Sequence, residues 1–253
     1  MAGIHAVGIR IAQGVGFARS FLIYAVPWRQ RALRRLYAPF MRHGDTVFDI
    51  GAHLGDRSAA FAGLGARVIA VEPQAFPQRY LRWRLGRSSE HVVLGEALAA
   101  QPGTAVLAMS DRHPTLATLS NQWRSQMGQD NPGFSHVAWQ REIEVAVTTL
   151  DALIERYGQP AFCKIDVEGF EAEVLEGLSQ PLPALSFEYL YGGEVQYRRC
   201  IERLEQLGMQ TFNLTIGEQR QFVFEDWQKA HAILAWLEIN AEDAGSGDVY
   251  ARW

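Results

Sequence analysis

Cysteine is nearly absent from the 253-residue chain, with Cys163 and Cys200 the two present. They stand far apart and form no C-x-x-C pair, which excludes a disulfide framework and a cysteine-ligated zinc and predicts reduced thiols in a cytoplasmic protein. Neither sign of charge is in large excess. A net charge of -4 and a pI near 6.0 give no overall basic field, so the expected partner is a small molecule or a neutral polymer and not nucleic acid. No apolar run approaches the ~20 residues of a membrane span, since Arg10 and Arg19 break the most hydrophobic stretch, and no small-residue cleavage site follows a basic start. The H-E-x-x-H, G-x-S-x-G and P-loop patterns are missing, and with them a competing hydrolytic or phosphoryl-transfer chemistry. No His, Cys or carboxylate cluster has a ligand spacing, so no bound metal is expected; Asp166 with Glu188 is the one arrangement able to hold magnesium.

Hydrophobic residues make up 48% of the chain and charged residues 21%, enough for one α/β core with decorations. That core is organised around G-D-T-V-F-D-I-G-A-H-L-G-D at residues 44–56 and A-V-E-P at residues 70–73. Val47, Phe48 and Ile50 form a short apolar strand that ends in an acid and a glycine turn. A helix from about Asp56 to Leu64 follows, with Gly65 as its C′ residue, and Arg67 to Val71 is a second buried strand closed by Glu72 and Pro73. This βαβ unit brings carboxylates to the carboxyl ends of both strands, where open α/β sheets bind ligands. Glu72 lies about twenty residues past the glycine turn, the position that hydrogen-bonds ribose hydroxyls. The turn reads Gly51-x-x-x-Gly55 and lacks the middle glycine of G-x-G-x-x-G, which lets backbone approach a pyrophosphate. An adenosine ligand without pyrophosphate is therefore expected. S-adenosylmethionine fits, with its ribose on Glu72 and its amino-acid tail on the Asp49 to Gly55 turn. The bland alternative is a glycine turn that merely joins a strand to a helix.

Residues 1–40 read as a helical extension and residues 41–253 as the main domain. Ile4, Val7, Ile11, Val15, Ala18 and Leu22 recur on one face of an amphipathic helix. Such a helix docks on the domain or on a twin subunit, or else lies at a membrane surface between its arginines. Pro27 stops it, and Arg29 to Phe40 gives a second, basic helix. Ala75 to Leu85 predicts a helix with Phe76, Tyr80 and Trp83 on one side and Arg79, Arg82 and Arg84 on the other, a sheet cover more than a nucleic-acid surface. His91 to Leu94 and Thr104 to Met109 predict short strands. Between residues 110 and 141 periodicity fails, and His113, Trp123, His136 and Trp139 there suit an acceptor-binding lid, although packing alone would also account for the tryptophans.

Order returns with a strand from Glu142 to Val147 and a helix through Tyr157 capped by Thr149 or Asp151. The second informative stretch is F-C-K-I-D-V-E-G-F-E at residues 162–171. It reads as a buried strand ending in Asp166 beside Asp49, then Glu168 and Gly169, then a helix with Phe170, Val174, Leu175 and Leu178 inward. Ala184 to Glu188 reads as a strand ending in an acid and Tyr197 to Leu207 as a helix. Met209 to Thr215 and Arg220 to Phe224 read as a strand pair around Gly217 and Glu218. Glu225 and Asp226 would open a helix with Ala230, Ile233, Leu234 and Leu237 inward, and Val249 to Arg252 would insert as a last strand.

The segments at 44–56 and 70–73, with T-L-D-A-L at 149–153, K-I-D-V-E-G-F-E at 164–171, S-F-E at 186–188 and G-D-V-Y-A-R at 247–252, resemble the FkbM family of S-adenosylmethionine-dependent methyltransferases. The likeness runs from about residue 40 to the C-terminus. It implies an α/β fold with a Rossmann-like seven-stranded sheet, mostly parallel with one antiparallel strand, and helices on both faces. It also implies methyl transfer, commonly to oxygen, on saccharide, lipid-linked or natural-product acceptors. His53 stands where many members carry asparagine. The cofactor-binding residues expected are Asp49, Gly51, His53, Gly55, Glu72 and Asp166. An alcohol must lose a proton as it is methylated, and Asp166 is the first candidate base because it ends its strand at the cleft. Glu168 in the following turn is the second and His113 on the lid the third; alternatively Asp166 only orients cofactor or caps the next helix. Two other classes stay open: a nicotinamide oxidoreductase, disfavoured by the missing glycine pattern, and a catalytically idle scaffold that keeps the cofactor fold.

Overall fold

In the computed structural model, which describes residues 27–86, 90–110, 117–120, 139 and 141–253, the chain starts with α1 (Pro27–Tyr37), β1 (Thr46–Ile50), α2 (Asp56–Ala62), β2 (Arg67–Val71), α3 (Ala75–Arg84) and β3 (Val92–Leu94). Next come β4 (Ala97–Leu98), β5 (Gly103–Met109), β6 (Ala117–Thr118), β7 (Arg141–Thr148), α4 (Leu150–Tyr157), β8 (Phe162–Ile165) and α5 (Glu171–Glu176). The last elements are β9 (Ala184–Leu190), α6 (Glu194–Gln206), β10 (Thr211–Leu214), α7 (Ala230–Ala244) and β11 (Ser246–Arg252). Seven strands form one sheet in the order β10-β11-β9-β8-β1-β2-β3, and β11 alone is antiparallel, to both β9 and β10. This is the expected sheet.

Side-chain alternation decides what each face of that sheet does. Phe48, Ile50, Cys163, Ile165, Leu185 and Phe187 share one face and pack with α4, α5, α6 and α7. Each such fully buried side chain contributes about 1.5–3 kcal/mol, so this face is the main store of stability. On the other face Val47, Phe162, Ala184 and Tyr250 pack with Leu33 and Tyr37 of α1 and with Phe61 of α2. There polarity rises along each strand: Val47, Asp49, Gly51; Phe162, Lys164, Asp166; Ala184, Ser186, Glu188. Asp49 of β1, Lys164 of β8, Ser186 of β9 and Tyr250 of β11 stand in one register row across the sheet. The apolar ends bury and the polar ends open at the carboxyl edge.

Four short strands form a second sheet in the order β4-β7-β5-β6, where Leu107, Met109, Val145 and Val147 cluster. The strands at β5 and β7 were expected, but their long antiparallel pairing with one another was not. Both cysteines are buried and free. Among the described residues no helix is long and apolar enough to cross a membrane. The helix expected over Ile4 to Leu22, and His113, Trp123 and His136 of the expected lid, lie outside the described residues.

Several boundaries differ from expectation for identifiable reasons. The helix after Asp166 begins at Glu171, because Glu168 and Gly169 take left-handed backbone, with φ of 55° and 83°. Strand β9 does not stop at Glu188; its antiparallel pairing with β11 carries it to Leu190. Arg220 to Phe224 forms no strand, only the isolated bridge of Phe222 with Thr215, since the Asn213 side chain takes the place of a ladder by bonding both the N–H and the carbonyl of Phe224. The helix expected at Glu225 starts at Ala230. Gln228 exchanges backbone hydrogen bonds of 2.8 and 2.7 Å with Phe212, and this pairing keeps the segment extended. Thr149 is the cap of α4, accepting from the Ala152 N–H at 3.1 Å.

Candidate active site

The carboxyl ends of β1, β2, β8 and β9 open into a cleft of about 1280 Å³, the solvent at its mouth included, walled on one side by Leu98, Leu107, Ala117 and Leu119. Asp49, Gly51, His53, Gly55, Glu72, Asp166 and Glu168 all line it, so the predicted residues from three separate stretches of sequence come together. His113 lies outside the described residues.

At the β1–β2 end the backbone shape comes first. Gly51 has φ 77°, and a Cβ built on it would lie 1.7 Å from the Asp166 carbonyl oxygen. No side chain fits there. The turn is fastened by the Gly51 and Ala52 N–H groups, which both donate to the Val71 carbonyl at 2.9 and 3.0 Å. Glu72 then accepts from the His53 N–H at 2.9 Å with one carboxyl oxygen and from the Gln74 N–H at 2.8 Å with the other. Burial pushes the Glu72 carboxyl up to about 7 against those two hydrogen bonds. Asp49 accepts from the Ser58 hydroxyl, and burial pushes it up to about 6. Burial lowers His53 to about 4, so its imidazole is neutral. Each oxygen of Glu72 keeps a lone pair after its backbone bond, which suits the two hydroxyls of a ribose. Buried carboxylates held by neutral donors suit a sulfonium and an ammonium, because a ligand cation offsets their desolvation. The residues present therefore match the chemistry of S-adenosylmethionine.

The β8–β11 end contains residues the sequence reading passed over. Lys164, 1% exposed, donates to Asp248 at 2.8 Å, to Asp166 at 3.2 Å and to the Ile165 carbonyl at 3.2 Å, which uses all three of its protons. Burial works to raise the Asp166 carboxyl, but Lys164 and then Arg57 overcome it and hold the group below the usual carboxylate range. Glu168 and Glu188, which also line the cleft, are pushed well above theirs, by burial first and by the Asp166 charge second. A lysine inside an otherwise apolar strand was the visible signal for Lys164; its partner Asp248 sits in the C-terminal motif. Glu171 accepts from the Val167 and Gly169 N–H groups at 3.0 and 3.3 Å, and Gln196 donates to the Gly169 carbonyl at 2.7 Å. These bonds fix the turn that aims Glu168 into the cleft. Among the described residues no group of His, Cys, Asp or Glu has the geometry to hold a metal ion.

A mostly parallel seven-stranded sheet, with an acidic cleft over its carboxyl edge and a glycine turn followed by a buried acid at the end of the next strand, is the architecture of an S-adenosylmethionine-dependent methyltransferase. Residues 49–245 match the methyltransferase FkbM domain, and the chain belongs to that family. The hexuronic acid methyltransferase AglP of Haloferax volcanii is 27% identical over 191 residues, which span 70% of this chain and 71% of that protein. A stretch of 85 residues, 34% of this chain and 28% of the other, is 41% identical to ribosomal RNA small subunit methyltransferase A of Anaeromyxobacter dehalogenans. Among solved structures, a precorrin-6y C5,15-methyltransferase from Geobacter metallireducens aligns over 89% of this chain and 86% of that one, at 11% identity and a TM-score of 0.43.

Proposed function

We propose that this protein methylates a hydroxyl oxygen of a saccharide acceptor, with Glu168 taking the proton. The acceptor class draws support from the hexuronic acid methyltransferase to which the chain is similar over most of its length. The observation that carries the role of Glu168 is its position in a braced left-handed turn lining the cofactor cleft, next to an Asp166 that Lys164 holds ionised. Bound S-adenosylmethionine supplies an electrophilic methyl group on a sulfonium. Glu72 and Asp49 would hold its ribose and tail, and Asp166, kept ionised, would face its positive charge. Holding the acceptor oxygen in line is worth up to ~7 to 11 kcal/mol. The hydroxyl proton still has to go to a group that binds it well near neutral pH. Asp166 is a weak base because a lysine already compensates its charge, whereas Glu168, raised by burial and by the Asp166 charge, is the stronger base in its ionised form, which a neighbouring sulfonium would favour.

The test is transfer to a panel of neutral sugars and uronates, with the methylated atom read by mass spectrometry and NMR. Glu168→Gln should retain affinity for S-adenosylhomocysteine within a few fold and lose turnover on a hydroxyl by about 10² to 10⁴. Normal turnover by Glu168→Gln with loss in Asp166→Asn would return the role of base to Asp166. Methylation of a uronate carboxylate needs no proton removal, so there Glu168→Gln should be silent.

A further inference from the structure

Four arginines converge on two carboxylates at one wall of the cleft. Asp56 faces Arg29 at 3.5 Å, Arg57 at 3.8 Å and Arg84 at 3.4 Å, while Glu218 faces Arg29 at 2.9 Å, Arg57 at 3.5 Å and Arg220 at 2.9 Å. The arginine side chains are only 12% to 19% exposed. Asp56, Arg57 and Glu218 line the cleft itself. Arg57 and Arg220 hold their guanidiniums in a place largely removed from water.

The contacts of Arg57 are loose. Both exceed the ~2.7 to 2.9 Å of a charge-assisted hydrogen bond, and its ε-nitrogen, like that of Arg220, is buried without a hydrogen-bond partner among the described residues. Arg220 also holds a left-handed backbone, φ 55°, that non-glycine residues rarely take. Burial works to raise the Glu218 carboxyl, yet Arg57, Arg29 and Arg220 together hold it below its usual range. A desolvated guanidinium whose fork is unfilled is costly for a fold and useful for an anion.

We infer that this wall, centred on Arg57 with Glu218 and Arg220 behind it, is a subsite for a carboxylate carried by a ligand of the cleft. The inference rests on the methyltransferase reading. Two ligands can bring such a group: the cofactor through its amino-acid tail, and the acceptor if it is a uronate. Either would seat its carboxylate on the guanidinium of Arg57 and fill the fork that its long contacts leave open.

Arg57→Met tests this without dismantling the cluster, since Asp56 keeps Arg29 and Arg84, and Glu218 keeps Arg29 and Arg220. Arg57→Lys, which retains the charge but not the fork, is the second variant and should lose less. Calorimetry would compare S-adenosylhomocysteine with 5′-methylthioadenosine, which lacks the tail, and then glucuronate with glucose in the presence of S-adenosylhomocysteine. If the cofactor supplies the carboxylate, Arg57→Met should weaken S-adenosylhomocysteine about tenfold or more and leave methylthioadenosine unchanged. If the acceptor supplies it, the wild type should prefer glucuronate over glucose and Arg57→Met should abolish that preference. The inference is overturned when neither happens in either variant. A wild type that fails to bind S-adenosylhomocysteine at all would instead overturn the methyltransferase reading on which it rests.

Discussion

Asp49 and Glu72, at the β1–β2 end of the cleft, are held by a serine hydroxyl and by two backbone N–H groups, whereas Asp166, at the β8–β11 end, is held by a lysine. All three are carboxyl groups near the same sheet edge, and burial pushes all three the same way. With neutral donors burial wins, and Asp49 and Glu72 rise to about 6 and about 7. With a formal cation it loses, and Asp166 falls. A cationic neighbour reverses the sign that burial sets, at an Asp166 that is also more exposed than Asp49 and Glu72. Asp49 and Glu72 are therefore left without a cation in direct hydrogen-bond contact, which leaves them free to face a cationic ligand. The other end is already balanced, and its fixed anion makes Glu168 and Glu188 hold protons more tightly.

Removing the lysine breaks this contrast most severely. Lys164→Met leaves Asp166 and Asp248 without the cation they share, and it should lower the unfolding free energy by about 3–5 kcal/mol, the usual result of breaking a buried ion pair from one side. Adding Asp248→Asn should recover part of the loss. Urea unfolding reads both variants, and a loss below about 1 kcal/mol would mean that water, not Lys164, balances these acids.

The two ends touch at Gly51, and a weaker perturbation can be aimed there. Gly51→Ala must carry a left-handed backbone and must also push its Cβ off the rigid Asp166 carbonyl. Gly55→Ala meets the same backbone cost, φ 72°, but its Cβ would lie 2.4 Å from the tip of the Leu81 side chain, which can turn aside. The expected losses are about 3 kcal/mol or more for Gly51→Ala and about 1–2 for Gly55→Ala. Equal losses in thermal unfolding would show that the close approach of β1 and β8 is not what the glycine secures.

Much of this was legible before any coordinates. The β1–α2–β2 unit follows from periodicity and glycine placement, and Asp49, Gly51, His53, Gly55 and Glu72 fall on one cleft because a parallel sheet aligns its carboxyl ends. Asp166 and Glu168 arrive beside them for the same reason, as β8 pairs with β1. What was not legible depends on contacts between distant segments. Lys164 meets Asp248 only because β11 inserts antiparallel next to β9. Glu171 has the sequence position of a first-turn acid, yet its carboxylate ties back the preceding turn. Arg57 carries no local signal, since its partner Glu218 comes from the loop after β10. The start of α7 was misjudged because Glu225 and Asp226 have the composition of a helix opening, while the free edge of β10 competes for the same backbone groups.

Glu72 offers the smallest expected effect and the finest measure of the contrast. Its carboxyl moves from its ordinary value of 4.5 to about 7 in the fold, so the folded state holds the proton more tightly than the unfolded chain does. The stabilisation that follows is complete below the unfolded value and is lost as pH rises through about 7. Glu72→Gln cannot titrate. The unfolding free energy of the variant relative to wild type should therefore shift in the variant's favour by about 1–3 kcal/mol between about pH 4.5 and pH 8. Asp49 adds a slope of the same sign near 6 and Asp166 an opposite one at lower pH, but both are present in the two proteins and cancel in the difference. If the ribose hydroxyls donate to the ionised Glu72 carboxyl, as proposed, saturating S-adenosylhomocysteine should reverse the advantage near pH 8, and the variant should bind about 1–3 kcal/mol more weakly. A difference that stays flat across the window would mean that Glu72 behaves as a solvated carboxylate, and the distinction between neutral-donor and cation-held acids would then fail at the residue where it is easiest to measure.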